Sequence, residues 1–218
     1  MNLVFDTDLA SDYSSPSQII RVLSENWVHR EIYCPNCGHT NITKDANNKP
    51  ASDFICFNCK EDYELKSKRR YFGKKIVDGA YKTMTERLSD SDNPNFFLLN
   101  YDASVFKVSN FLVIPKHFFT PEIIEKRKPL APTAKRAKWV GCNIILVSIP
   151  ETGKIFFIKD GQIVPKEKVL TSWQKTLFLR EEKELKSKGW LLDIIKCIET
   201  VKKTEFSLSD IYAFEKML

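Results

Sequence analysis

Ser52-Asp53-Phe54-Ile55-Cys56-Phe57-Asn58-Cys59-Lys60-Glu61-Asp62-Tyr63-Glu64-Leu65-Lys66 is the stretch that decides how this chain folds. Two apolar-polar alternations, 52–56 and 63–66, flank Cys56-Phe57-Asn58-Cys59 and predict the arms of a β-hairpin. A second pair, Cys34-Pro35-Asn36-Cys37, lies 18 residues upstream across the Asn/Lys/Pro-rich loop 41–50, the spacing of a four-thiolate zinc site. A two-residue gap lets both sulfurs of one turn reach one ion. Four thiolates close the tetrahedron, so Cys34, Cys37, Cys56 and Cys59 are expected to hold a structural Zn²⁺.

Glu64 and Lys66 share one face of their strand, because side chains repeat every two residues. With the second cysteine pair as the turn, Asp53 lies across from them. Two carboxylates and a lysine suit a hard divalent cation such as Mg²⁺, the apparatus of phosphodiester hydrolysis. A Glu-x-Lys in so charged a chain says little by itself. Its position between a zinc staple and a basic run is what singles it out.

The chain has 218 residues, 43% hydrophobic and 28% charged, with a formal charge of +6. That is ordinary globular composition, with room for one full domain and a fragment of a second. No apolar run approaches the roughly 18 residues of a membrane span. The acidic N-terminus is not a secretory signal, and six cysteines without one point to a reducing cytoplasm. Cys142 and Cys197 sit in apolar patterns and are expected to be buried. His39 is a spare ligand, and no ligand spacing in the sequence singles out His29 or His117.

Positive charge is concentrated. Residues 66–75 hold six cations and no acid, including Lys68, Arg69 and Arg70; residues 126–138 hold another six, Lys126, Arg127, Lys128, Lys135, Arg136 and Lys138. The rest of the chain is net acidic. Such a distribution fits a polyanion partner, and Tyr71, Phe72 and Trp139 beside the runs could stack on bases.

The periodicities predict a helix over 16–28, with Ser15 as N-cap and Pro16 in the first turn, and another over 74–88. Strands are expected at 96–101, 111–114, 143–148 and 154–159, with a helical pattern at 170–180. The result is mixed α/β, helices around a sheet. Residues 181–189 read as a charged linker. Two amphipathic helices then follow, 190–201 and a last one started by a capping box at Ser207 and Asp210 that carries Ile211, Phe214 and Leu218 on one face.

Several stretches together carry a resemblance: Tyr33-Cys34-Pro35-Asn36-Cys37-Gly38, Glu64-Leu65-Lys66-Ser67-Lys68, Asp78-Gly79-Ala80-Tyr81, Asn93-Pro94-Asn95-Phe96-Phe97 and Pro129-Leu130-Ala131-Pro132-Thr133-Ala134. Across essentially its whole length the chain resembles the DpnI-type methyl-directed restriction endonucleases, within the PD-(D/E)xK nuclease superfamily. The resemblance implies a restriction-endonuclease-like mixed sheet flanked by helices, and cleavage of both strands of double-stranded DNA at GATC sites carrying methylated adenine. It assigns Asp53 and Glu64 as the metal-binding acids, Lys66 as the catalytic lysine, Leu65 as a backbone-carbonyl ligand of Mg²⁺ and the four cysteines as zinc ligands. It divides the chain into a catalytic domain, 1–185, and the first two helices of a winged-helix domain, 186–218. The basic residues named above, with Trp139, are the expected DNA contacts. Two rival readings are a non-catalytic zinc-ribbon module that binds nucleic acid and a structure-specific nuclease of the same superfamily.

Overall fold

A computed structural model describes residues 1–40, 42–44, 52–90, 93–201, 203 and 205–214. In chain order the elements are α1 (Pro16–Glu31), β1 (Thr43–Lys44), β2 (Phe54–Ile55), β3 (Asp62–Arg69), β4 (Lys75–Ala80), α2 (Tyr81–Ser89), β5 (Asn95–Asp102), β6 (Lys107–Ile114), β7 (Ile124–Lys126), β8 (Gly141–Ile145), β9 (Ile155–Lys159), β10 (Gln162–Ile163), α3 (Lys166–Gln174), α4 (Leu185–Val201) and α5 (Leu208–Tyr212). They form two compact units. The first is Met1–Phe72, Pro94–Lys116 and Lys154–Thr176; the second is Gly73–Asn93, His117–Gly153 and Leu177–Leu218.

The first unit is built on a seven-stranded mixed sheet, ordered β1-β2-β3-β5-β6-β9-β10. The expected hairpin is there, with Phe54 opposite Tyr63 and Ile55 opposite Asp62. β3 and β5 run parallel, and every other pair is antiparallel. A parallel pair cannot be closed by a tight turn. Between these two strands the chain therefore leaves to form part of the second unit. The core on the α1 face is aromatic: Trp27 meets Phe111 edge-on at 5.3 Å, Phe111 meets Phe97 and Phe157 at 5.1 and 5.3 Å, and Tyr63 stacks on Phe97 at 4.4 Å. Burying rings of this size contributes more to stability than any other side chains can. β5 is buried along six of its eight residues, which is why 95–100 reads as a continuous apolar run broken only by Asn95 and Asn100.

The second unit has a three-stranded antiparallel sheet, β4-β8-β7, with α2 against it. Here the expected helix over 74–88 is half strand. Ile76 and Asp78 are buried while Lys75, Val77 and Gly79 are exposed, so a period of two governs until Tyr81. Ile76 opposite Ile144 and Asp78 opposite Cys142 fix the register, with a bulge at Gly79. Val77 and Ala80 matched helical spacing by coincidence.

Other boundaries also moved. α1 runs three residues past the expected end, at Glu31. The helix expected at 170–180 is α3, which starts at Lys166, followed by a 3₁₀ turn at Leu177–Arg180. The strand expected over 143–148 is β8 and then a 3₁₀ turn, Leu146–Ser148. The supposed linker is helical from Leu185 onward, where Lys188 and Leu192 become buried. Cys142 and Cys197 are buried as expected. Within the loop 41–50, Thr43–Lys44 is β1; the remainder apart from Ile42 lies outside the described residues, as does Leu218.

Candidate active site and zinc centre

Cys34 and Cys56 open two turns of one design. The Gly38 N–H donates to the Cys34 carbonyl at 2.9 Å, and the Lys60 N–H to the Cys56 carbonyl at 2.7 Å. In return the Cys34 and Cys56 N–H groups donate to His39 and Glu61 carbonyls at 2.9 and 2.8 Å. Both turns close through a left-handed residue, Gly38 at φ 73° and Lys60 at φ 62°. Glycine adopts that backbone freely; at Lys60 the Cβ opposes it. α3 braces the first turn: Lys166 Nζ donates to the Gly38 carbonyl at 2.8 Å and Trp173 Nε1 to Asn36 Oδ1 at 3.0 Å.

The result brings the four sulfurs within 4.8 Å of one another, with Cys34–Cys59 at 3.5 Å and Cys37–Cys56 at 3.6 Å. Zn–S bonds of about 2.3 Å in a tetrahedron put sulfurs roughly 3.8 Å apart, so this donor set fits one zinc. The Tyr63 hydroxyl lies 3.2 Å from Cys34 Sγ. Burial pushes the Cys34 and Cys59 thiols up. At Cys37 burial also opposes ionisation, but hydrogen bonding from Asn58 and from the His39 amide outweighs it and brings the thiol down to about 7. His39 is not part of the cluster. His29 Nδ1 is instead 2.9 Å from the Ile42 carbonyl oxygen.

Asp53 sits just before β2, its N–H on the Tyr63 carbonyl at 2.9 Å. Its Oδ2 reaches across to accept the Leu65 N–H at 2.7 Å. A strand residue's N–H and C=O leave by the same edge, so the Leu65 carbonyl faces the side that Asp53 occupies. Glu64 and Lys66 pair with each other on one face of β3, with Lys66 Nζ also 5.9 Å from the centre of the Phe96 ring. Burial pushes the Asp53 carboxyl up; the Leu65 amide and the charges of Lys66 and Arg21 oppose this, while Glu25 reinforces it. Two carboxylates and a peptide carbonyl are hard oxygen donors that fit Mg²⁺.

Sequence reasoning missed the α1 residues that share a cavity with Asp53 and Leu65. A cavity of about 290 Å³ is lined by Arg21, Ser24 and Glu25 of α1 together with Asp53, Leu65 and Ser67. Glu25 is held by Arg21 at 2.6 Å and Lys44 at 3.1 Å. Arg21 and Glu25 are an i,i+4 pair on α1, and nothing in the local sequence links them to Asp53. Glu64 and Lys66 project from the opposite face of β3 and do not line this cavity; Asp53, at the strand edge, is the link between the two sides.

Two family comparisons now bear on the chain. A model of the DpnI, or Dam-replacing, family matches residues 1–182, and one of the Dam-replacing HTH domain matches residues 186–218. The chain belongs to the Dam-replacing family. As a Dam-replacing protein it has the role of a methyl-dependent restriction endonuclease, and its HTH match makes it DNA-binding. α4 and α5 supply the matched HTH segment. The capping box forms, Asp210 accepting the Ser207 N–H at 2.9 Å and its hydroxyl at 3.0 Å.

Of the expected DNA contacts of this Dam-replacing protein, Lys68, Arg69 and Arg70 belong to the first unit, at the end of β3. Lys126, Arg127, Lys128, Lys135, Arg136, Lys138 and Trp139 belong to the second, at the end of β7 and in the β7–β8 connection. All six cations of that connection are exposed. Its base is tied by the Arg127 N–H on Gly141 and the Leu130 N–H on Trp139, both at 2.9 Å, and Lys138 takes a left-handed φ of 63°. The Arg136 guanidinium lies 4.5 Å from the centre of the half-exposed Trp139 ring. Lys126 Nζ lies 5.4 Å from that of Tyr81. No helix among the described residues is long and apolar enough to cross a membrane.

Proposed function

We propose that this Dam-replacing protein is a type II, Mg²⁺-dependent endonuclease that cuts both strands of double-stranded DNA at GATC sites carrying methylated adenine, in the cytoplasm. The observation that carries the reading is the Asp53–Leu65 hydrogen bond. It sets a carboxylate beside Leu65, the residue whose own carbonyl, with Asp53 and Glu64, is the donor set for Mg²⁺.

Asp53, Glu64 and the Leu65 carbonyl hold the cation. A bound Mg²⁺ lowers the pKa of a coordinated water and stabilises charge on the phosphate oxygens. Lys66, drawn from its pair with Glu64, orients the attacking water and offsets charge building on phosphorus. Cys34, Cys37, Cys56 and Cys59 bind a structural Zn²⁺ that keeps the hairpin registered. Lys68, Arg69, Arg70 and the cations of 126–138 hold phosphates, which gives affinity without sequence information. Trp139 is the methyl sensor, since a buried methyl on the major-groove edge of adenine is worth about 1 kcal/mol against an aromatic face. Residues 1–185 form the catalytic domain and 186–218 are winged-helix sequence.

Incubation with Mg²⁺ and plasmid, methylated or unmethylated at GATC, tests the whole reading. Cutting restricted to methylated plasmid and stopped by chelation is expected. Binding without cutting would return the protein to a zinc-ribbon module, and cutting indifferent to methylation to a structure-specific nuclease.

A further inference from the structure

A larger cavity, about 630 Å³, opens in the first unit where β3 and β5 end. Arg69, Arg70, Tyr71, Lys107, Asn110 and Asp160 are among its lining residues. Regular β-structure would send successive side chains to opposite faces, so 69, 70 and 71 should not share one hollow. Arg70 resolves this. Its backbone is left-handed, φ 65°, with its N–H on the Tyr101 carbonyl at 3.0 Å, which breaks the strand alternation where Arg69, Arg70 and Tyr71 line one cavity.

The opposite wall is the β9–β10 turn, Asp160-Gly161, with φ 49° and 75°, the two-residue connection that suits twisted strands. Its amides are committed internally: Asp160 donates to Asn110 Oδ1 at 2.9 Å and Gly161 to the Ser109 carbonyl at 2.7 Å. Asn110 is only 7% exposed, and among the described residues its Nδ2 makes no hydrogen bond. Arg69, Arg70 and Lys107 form no ion pair among the described residues, and the charges of Arg69 and Arg70 act on Asp102, a cavity-lining carboxylate whose Oδ1 accepts from the Ser104 N–H and hydroxyl. Tyr71 is 75% exposed, an aromatic ring with little against it.

We propose that this cavity binds one unpaired nucleotide unit: its phosphate on Arg69, Arg70 and Lys107, its base stacked on Tyr71, and the polar base edge toward Asn110 and Asp160. Arginine forks suit phosphate oxygens, and stacking on tyrosine accepts any base. A volume of this size is ample for a nucleotide. A base inside a duplex is already stacked, so only an unpaired one can reach Tyr71. As a property of the DNA substrate the proposal rests on the nuclease reading above. β3 rises about 3.3 Å per residue, which sets Arg69 roughly 10 Å beyond Lys66.

The test is binding by the full chain without divalent metal, read by fluorescence anisotropy, so cleavage plays no part. The probes are a blunt duplex with methylated GATC, the same duplex with a four-nucleotide single-stranded overhang, and free dAMP as competitor. The overhang should tighten binding by about fivefold or more. Tyr71→Ala and Arg69→Ala should remove that gain, and Lys183→Ala should keep it. All three sites are exposed, so folding is not at stake. Displacement by dAMP that Arg69→Ala abolishes would support the pocket with a free nucleotide as its ligand. Equal affinity for blunt and overhanging duplex together with no displacement by dAMP would overturn it. A protein that cuts methylated DNA yet behaves so loses only the pocket, and one that shows the gain but never cuts loses only the nuclease reading.

Discussion

The Asp53 carboxylate accepts the amide hydrogen of Leu65, twelve residues along the chain, at 2.7 Å. One bond thereby joins the residue before β2 to the middle of the Glu-x-Lys segment. It holds Asp53 at the strand edge from which the Leu65 carbonyl emerges. The hairpin that makes this approach possible is closed by the Cys56–Cys59 turn.

Asp53→Asn separates charge from geometry. The amide oxygen still accepts the Leu65 N–H, so the fold and DNA binding should persist while cleavage falls by about 100-fold or more. Glu64→Ala and Lys66→Ala should behave alike, in single-turnover cleavage against binding of methylated duplex. Any one of the three cutting at the wild-type rate would remove that residue from the chemistry.

One zinc per chain is expected from metal analysis. Cys34→Ser should lose the ion and melt the hairpin, taking cleavage with it, because zinc binding here is folding energy. Tyr63→Phe removes only the hydroxyl 3.2 Å from Cys34 Sγ and should keep the zinc at a stability cost of about 1 kcal/mol. A fully active Cys34→Ser protein would contradict the stapling role.

Gly141 is tied to Trp139. A Cβ at 141 would stand 2.7 Å from Trp139 Cη2, so Gly141→Ala must displace the indole. If Trp139 senses the methyl, both Gly141→Ala and Trp139→Ala should narrow the ratio of cleavage on methylated over unmethylated GATC. Folded variants that keep the full ratio would exclude it.

Gly153 makes room for Phe118, which is 1% exposed. A Cβ there would come within 2.6 Å of the Phe118 ring, so Gly153→Ala should destabilise by about 1–3 kcal/mol, seen as a lowered Tm. An unchanged Tm would mean that Phe118 repacks freely.

What could be read from residues alone was what depends on near neighbours. The Cys-x-x-Cys gaps fix two turns whatever surrounds them, and the short arms either side of Cys56 and Cys59 can only pair back on themselves. α1 was legible because Pro16 begins it and its apolar face repeats at helical spacing, and the Ser207–Asp210 box was legible for the same local reason. These features set the zinc ligands and put Asp53 across from Glu64.

Tertiary structure decided what local pattern leaves ambiguous. Residues 75–80 satisfy a helix and a strand on spacing, and pairing with β8 chose the strand. Charge made 181–189 look like a linker, but burial of Lys188 and Leu192 draws α4 back to Leu185. Glu25 meets Asp53 only because α1 packs beside β3, and Arg69, Arg70 and Tyr71 share a cavity only because one left-handed residue breaks the strand. Each of these depends on contacts between residues far apart in the chain, and their free energy has no signature in a short window of sequence.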